Sequence, residues 1–446
     1  MDSLANVTPG KPRTINIMRT IIVGGGWSGL ATAIALIDQG AEVQVFEAGG
    51  ILGGRARSVN WQNIVVDNGQ HLTIGAYQNM LSLMAHIGLD VETLFRREPL
   101  NLVLRDKRYK SLKISTHGKL TSSFNRLYHL WQSGGLSSIQ AIHRLQTYIK
   151  QSHRLEATTV AELVTSSRQP QRLIDQLWEP LTLAMLNTPI NLASAQVFAD
   201  VLNASLFADK NAAELLIPTQ PLSDVFPTPA GKYIVDNGGY IQLNNRVKSL
   251  IIDDGIVKGI IDQYDQRHFA DNVVLALPPS ALNKLLPIEA QLENVDEYPI
   301  CTLYLQYQSS LRAPQPITGL SGTISQWLFD RSIQKPGLMA VVISGPGEHT
   351  QLSKQALIEV VSSELNDLIP NWPETAEHAL VIREKRATFA ATPESQKQRP
   401  TCHTTIKGLW LAGDYVKHAF PATLETAIGN GLECGRQILP NHIVRQ

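Results

Sequence analysis

The stretch TIIVGGGWSGLATAIALIDQGAEVQVFE, residues 20–47, decides the fold. It opens with a short β-branched apolar run, residues 20–23, of the kind a strand buried on both faces requires. Gly24, Gly26 and Gly29 follow in GxGxxG spacing, and Leu30, Ala33, Ile34 and Ile37 then recur at helical spacing up to a C-cap at Gly40. AEVQVFE reads as a second strand, so the unit is βαβ. Gly24 permits a tight turn, Gly26 lets backbone approach a pyrophosphate, and Gly29 lets the helix pack closely on its strand. The helix N-terminus turns roughly half a positive charge toward that anion. Glu47 ends the second strand 18 residues after Gly29, where a carboxylate accepts from a ribose hydroxyl. The stretch therefore predicts a Rossmann-type α/β domain that binds a dinucleotide.

The bulk composition sets the class. The chain has 446 residues, 43% hydrophobic and 17% charged, which implies a globular protein with more than one core. Its formal net charge is zero, giving no global reason to expect nucleic acid as a partner. Cys301, Cys402 and Cys434 are far apart and odd in number, which suggests a reducing, cytoplasmic setting with neither a disulfide scaffold nor a metal site. The first 18 residues lack a continuous apolar stretch, and four glycines interrupt the run 21–37, so neither reads as a signal peptide or membrane span.

Along the chain, residues 96–154 carry twelve Lys/Arg against two acids, interleaved with Tyr109, Phe124, Tyr128, Trp131 and Tyr148. Basic charge contributes about 1 kcal/mol per residue near an anionic leaflet, so this region is the candidate for peripheral membrane contact. Residues 136–200 read as mostly helical, with Thr158 or Thr159 and Glu162 forming a capping box. From 231 the pattern turns to short strands: GKYIVDNGGYIQL, NRVKSLIID, GIVKGIID and ADNVVLALPP. The last 40 residues predict a strand, GLWLAGD, then a helix over 421–439.

Scattered motifs carry a resemblance. LGGRARS places Gly53, Gly54, Arg55 and Arg57 soon after Glu47, where two glycines let backbone pass a phosphate and an arginine neutralises it. GLWLAGDY holds Gly413 and Asp414, and NNRVKSLIID holds Val247. Together these resemble the flavin amine oxidase and carotenoid desaturase superfamily. The resemblance implies FAD, with Asp414 at the ribityl–phosphate region and Val247 touching adenine through its backbone. It also implies a discontinuous FAD domain (1–95, 225–295 and 375–446) and a substrate domain of antiparallel sheet and helices (96–224 and 296–374). A narrower resemblance rests on DNGQH (67–71), GAY (75–77) and PATLETAIGNG (421–431), which look like the hydroxysqualene dehydroxylase family. One departure is EAGGILGGRARS, where that family often has a basic residue before the glycine pair.

That likeness implies reductive dehydroxylation of hydroxysqualene to squalene by reduced FAD, on an apolar C30 isoprenoid. His71 is then the candidate proton donor, Asp67 its orienting carboxylate, and Gln70 with Asn68 the groups that fix the ring or the hydroxyl. The predicted helix 421–439 would aim its N-terminus, at Thr423 and Leu424, at the flavin. Amine oxidases place an aromatic side chain just before the flavin-contacting Glu; here the residues are Ala422, Thr423 and Leu424 before Glu425, which disfavours an amine. The sequence has no second GxGxxG unit, so a separate electron donor is expected. The alternatives are a carotenoid-type desaturase or isoprenoid oxidase, and a prenyl-lipid carrier without catalysis.

Overall fold

The computed structural model describes residues 18–115, 122–152, 155–208, 211–292 and 296–439; the opening segment 1–17 lies outside them. The architecture is α/β, built on two main sheets. The first is the predicted βαβ unit and its extensions. Strand β1 (Arg19–Val23), helix α1 (Trp27–Ile37) and strand β2 (Glu42–Phe46) follow one another in sequence. Across the sheet the order is Tyr240–Gln242, β2, β1, Asn272–Leu275 and Leu409–Leu411, all parallel. Ile21, Ile22 and Val23 are buried, as a central parallel strand demands.

Helix α1 is buried along almost its whole length, because the C-terminal helix Leu424–Ile438 covers its outer face. Small residues make that approach possible. A Cβ on Gly431 would fall inside the radius of the Ser28 carbonyl oxygen, and one on Gly435 would lie 2.7 Å from the Ala35 Cβ. The Thr32 hydroxyl sits in the seam, 2.9 Å from the Ser28 carbonyl oxygen and 3.1 Å from that of Gly431. Gly29 meets its predicted role: its missing side chain leaves room for the Gly24 carbonyl and Ala276.

The second sheet has seven strands in the order His378–Phe389, Glu297–Gln306, Leu338–Ser344, Trp327–Asp330, Ile317–Ser321, Asn101–Asp106 and Leu112–Ser115. Only the pairing of Ile317–Ser321 with Asn101–Asp106 is parallel. Alternation along each strand divides two cores. Cys301, Leu303, Leu305, Met339, Val341 and Ile343 pack with Leu357, Val361 and Leu365 of helix Lys354–Leu368. Tyr304, Ala340, Val342, Trp327, Phe329 and Ile317 belong to the main core on the opposite face.

Two expectations change. The domain boundary at 375 assigned His378–Phe389 to the nucleotide unit, but this strand pairs with Glu297–Gln306 from His378 to Phe389 and so belongs to the seven-stranded sheet. GKYIVD, expected as a strand, forms most of the helix Pro227–Asp236. Pro227 suits the first helical position, and Ala230, Gly231 and Ile234 form a buried stripe at helical spacing. The capping box at Thr159 and Glu162 is present as expected.

Replacing Gly431 with Leu should destabilise the fold by about 1–3 kcal/mol or more, because the seam has no room for the side chain. Denaturant unfolding followed by helix signal checks this; an unchanged midpoint would contradict the close packing.

Candidate active site

The turn after β1 opens on a cleft of about 410 Å³. Gly24, Gly26, Trp27 and Ser28 form one side of it, and Gly53, Gly54, Arg55 and Arg57 another. The two glycine segments touch: the Gly53 N–H donates to the Gly25 carbonyl at 2.8 Å, and a Cβ built on Gly54 would lie 3.2 Å from the Gly26 Cα. Helix α1 begins at this point with no side-chain cap and no acid in its first turn, and the Ser28 hydroxyl is buried without a partner. An uncapped helix start over a glycine cradle suits a pyrophosphate. Glu47 lines the cleft, its carboxylate accepting from the N–H groups of Gly25 (2.8 Å) and Gly49 (2.6 Å). A further hollow of about 700 Å³ continues outward past Glu47, Gly50, Val59 and Arg246. Val247 follows Arg246 as the first residue of strand Val247–Asp253 and is not part of either lining. The residues present fit a dinucleotide of the FAD type.

Gly413 and Asp414 close the cleft from the end of strand Leu409–Leu411. Arg55, expected at a phosphate, instead donates from one terminal nitrogen to both Asp414 carboxylate oxygens at 2.8 and 2.9 Å and from the other to the Ala387 carbonyl at 2.6 Å. The guanidinium is thus divided between the carboxylate and a backbone carbonyl, both charge-assisted contacts. Arg57 donates to the Gly54 carbonyl and so braces the glycine pair. Arg399, which no sequence pattern singled out, is buried beneath the loop that follows Asp414. Its nitrogens donate to the carbonyls of Asp414 (2.9 Å), Val416 (2.6 Å), His418 (2.9 Å) and Phe420 (2.8 Å). Burial lowers its pKa to about 10, with Asp414 opposing, so it stays charged at neutral pH.

That loop delivers residues 422–424 to a second cavity of about 290 Å³. This one is apolar, walled by residues such as Leu102, Leu181, Leu215, Ile317, Trp327 and Phe329. Its sheet wall runs from Ile300 through Val342, Trp327 and Ile317 to Leu102, crossing five neighbouring strands. Four intervals at strand spacing make a length of roughly 19 Å. The apolar cavity and the nucleotide cleft share a wall: Gln70, His71, Ile300, Thr388 and the segment 422–424 line both.

The structure brings His71, Gln70, Thr423 and Leu424 to that wall and leaves Asp67 out of it. The Asp67 carboxylate accepts from the Ser58 hydroxyl (3.1 Å) and the Leu222 N–H (2.8 Å), pinning the hairpin of Ser58–Trp61 and Ile64–Asp67 to the helix Leu222–Val225. Its expected role of orienting His71 is therefore corrected: the ring's Nδ1 lies 2.9 Å from the Gly69 carbonyl, which obliges that nitrogen to carry the proton. Burial raises the Asp67 pKa, opposed by the Leu222 N–H and by Arg331. Burial lowers the His71 pKa, with Asp67 opposing. The imidazole is thus neutral, with Nε2 an acceptor. Asn68 donates to the Arg55 carbonyl at 3.0 Å, and the Gln70 amide donates to the His71 carbonyl at 2.9 Å.

The C-terminal helix starts at Leu424, and the Thr423 hydroxyl oxygen caps it by accepting from the Thr426 N–H at 3.2 Å. Glu425 turns away to cap the helix Gln78–His86, accepting from the N–H groups of Asn79 (2.9 Å) and Met80 (3.0 Å) and from the Asn79 amide (2.8 Å). Burial raises its pKa against these three bonds. Tyr77, the last residue of GAY, lines the apolar cavity with its phenol near Thr423 and Glu425. The sequence reading quoted Tyr77 but gave it no role.

Four bases of the 96–154 segment are paired with acids. Arg96 pairs with Glu98, Arg97 with Glu92 and Glu214, Lys107 with Asp367, and Arg108 with Asp106 and Asp175. Acids from other parts of the chain fold onto it, so the local excess of charge is smaller than the sequence count. Lys119, Arg154 and the side chains of Phe124, Arg126, Tyr128 and Trp131 lie outside the described residues. No helix among the described residues is long and apolar enough to cross a membrane.

The flavin-containing amine oxidoreductase family matches residues 27–439. The chain belongs to that family. It is an FAD-dependent oxidoreductase rather than a lipid carrier, and its cofactor is FAD. Among curated relatives, it is 26% identical over 429 residues to a hydroxysqualene dehydroxylase from Zymomonas mobilis subsp. mobilis, covering 92% of this chain and 97% of that one. It is 22% identical to a 15-cis-phytoene desaturase from an Oncidium hybrid cultivar, covering 98% of this chain and 79% of that one. The fold is similar to that of a solved oxidoreductase from Methanosarcina mazei, with a TM-score of 0.74, 17% identity, and coverage of 93% of this chain and 99% of the other.

The lowered His71 pKa carries a sign. As pH falls through about 6.5 the unfolded chain takes up the proton first, so neutral burial of His71 stabilises the fold above that pH and loses its effect below. Nitrogen NMR of the imidazole at pH 7 should find a neutral ring protonated at Nδ1; an imidazolium there would contradict the assignment.

Proposed function

We propose that this flavoenzyme carries out reductive dehydroxylation of hydroxysqualene to squalene. The observation that carries the reading is the shared wall. A long apolar cavity meets the FAD cleft where the polar side chains are neutral: Gln70, His71, Tyr77, Thr388 and Thr423. The carboxylate at that end, Glu425, is bonded to three N–H groups at the start of the helix Gln78–His86, an arrangement that suits capping rather than holding an ammonium ion. One hydroxyl on a hydrocarbon chain suits such a wall. The names of the curated relatives support the same substrate.

In this reading Gly24, Gly26 and the start of α1 hold the pyrophosphate, and Glu47 accepts from a ribose hydroxyl. Gly53 and Gly54 give backbone access, with Arg57 bracing the pair. Arg55 and Asp414, locked together, shape the wall along the ribityl chain, while Val247 offers backbone to adenine. The Leu424 end of the last helix turns its dipole toward the ring. Reduced FAD, when bound, supplies a hydride. His71 Nε2 accepts from the substrate hydroxyl and orients it, Gln70 stiffens the turn that carries His71, and the aliphatic lining keeps water from the allylic cation left by C–O cleavage. Electrons reach the flavin from a separate donor. Because a C30 hydrocarbon dissolves in bilayers, the reading keeps a peripheral membrane contact as its route of supply.

A second reading, hydride removal from a hydrocarbon as in the desaturases, is favoured by the likeness to phytoene desaturase. Anaerobic mixing of photoreduced protein with hydroxysqualene decides between them. Flavin reoxidation with one squalene formed per flavin is expected; bleaching of the oxidised protein by squalene or phytoene would overturn the proposal.

A further inference from the structure

We propose that Tyr77 donates the proton that turns the departing hydroxyl into water. The proposal rests on the dehydroxylation reading and deepens it. Loss of hydroxide from carbon into an apolar cavity is prohibitive unless a proton reaches the oxygen as the bond breaks. The wall offers few groups able to give one. His71 has its proton on Nδ1, committed to the Gly69 carbonyl at 2.9 Å, and shows the substrate a bare Nε2. Glu425 accepts two N–H bonds at Oε1 and one at Oε2, all of which favour the carboxylate over the acid, so its oxygens serve the start of the helix Gln78–His86 as acceptors. Thr388 and Thr423 carry aliphatic hydroxyls, far weaker acids than a phenol. Tyr77 remains.

The hydroxyl protons of Thr423 and Thr426, close to Tyr77, have fixed acceptors. The Thr426 hydroxyl donates to the Pro421 carbonyl at 2.7 Å, so its oxygen is the acceptor in the 3.1 Å contact with the Thr423 hydroxyl. Thr423 therefore spends its one proton on Thr426, its oxygen receives from the Thr426 N–H, and the Tyr77 phenol lies near that hydroxyl. The Tyr77 phenol thus lies near a residue that lines both cavities, on a side chain that lines the apolar one, with no proton from Thr423 directed at it. Burial, with Glu425 nearby, keeps the phenol protonated well beyond its ordinary range.

The step balances. The C–O bond breaks with its electron pair on oxygen, the Tyr77 O–H bond breaks, and its proton completes water. Tyr77 is left as phenolate beside an allylic cation, a pair with no net charge in a medium that would penalise one. Thr423 can rotate its proton onto the phenolate. The cation takes the hydride for which reduced flavin is the reductant, and the phenolate regains a proton from solvent once water leaves.

Tyr77→Phe keeps the ring and removes the proton. The variant should bind FAD with an unchanged visible spectrum, while reoxidation of its reduced form by hydroxysqualene slows by about 100-fold or more. A second readout needs no turnover: oxidised wild-type protein should bind hydroxysqualene more tightly than squalene, and Tyr77→Phe should lose about 2- to 10-fold of that preference. If Tyr77→Phe does not retain FAD, 3-fluorotyrosine at position 77 keeps the shape with a more acidic phenol, and both the single-turnover rate and the alcohol preference should rise. Squalene formation by Tyr77→Phe at the wild-type rate, or a fluorinated protein unchanged in both measures, overturns the role of Tyr77 alone. Wild-type reduced protein that forms no squalene overturns the dehydroxylation reading, and the role of Tyr77 with it.

Discussion

The ion pair between Arg55 and Asp414 joins segments 359 residues apart in the chain and closes the nucleotide cleft. Arg55 sits just after the second glycine pair, and Asp414 just after the last strand of the parallel sheet. The pair therefore sets the distance between the pyrophosphate cradle and the loop that becomes the shared wall. Removing either partner would leave the other charge unpaired in a partly dry wall, a cost larger than the worth of the contact itself. Arg399 extends the same constraint. By donating to successive carbonyls from Asp414 to Phe420, it holds a loop with no regular hydrogen bonding of its own in one conformation up to the start of the C-terminal helix.

The site downstream of that constraint is defined by which polar groups are already used. Asp67, Glu425, Arg55 and Arg399 are charged residues at or near the cavities, and each is committed to partners within the protein. Apart from Glu425, which caps the helix Gln78–His86, the side chains that line the apolar cavity are neutral. A cavity of this kind lets a hydrocarbon displace water without leaving a charge unsolvated, and makes the few neutral groups on its wall the points where one end of a substrate can be told from the other.

The βαβ unit was legible because its signal is local: strand, glycines and helix are consecutive, and each glycine has its own steric reason. The capping box at Thr159 and the strand at Leu409–Leu411 were legible for the same cause. GKYIVD was misread because β-branched and aromatic residues suggested a strand, while packing of Ala230, Gly231 and Ile234 against α1 and its neighbours overrode that propensity. The role of Asp67 was misread for a related reason. It lies four positions before His71, but the chain turns between them, so the carboxylate faces Ser58 and the imidazole faces the cavities.

By itself the sequence determined the Rossmann-type half of the molecule, the dinucleotide it holds, and the family to which its scattered motifs point. Those depend on glycine at particular positions and on periodic apolar residues, properties that each residue carries wherever the chain goes. Only the tertiary structure decided that the apolar cavity crosses five strands of the second sheet, that Arg55 serves Asp414, that the basic segment is met by distant acids, and that Tyr77 reaches the wall beside Thr423. Each of these is a meeting of residues far apart in sequence. A hydrogen bond or ion pair has no signature in either partner alone, because the same side chain is equally ready to bond water until folding chooses its neighbour.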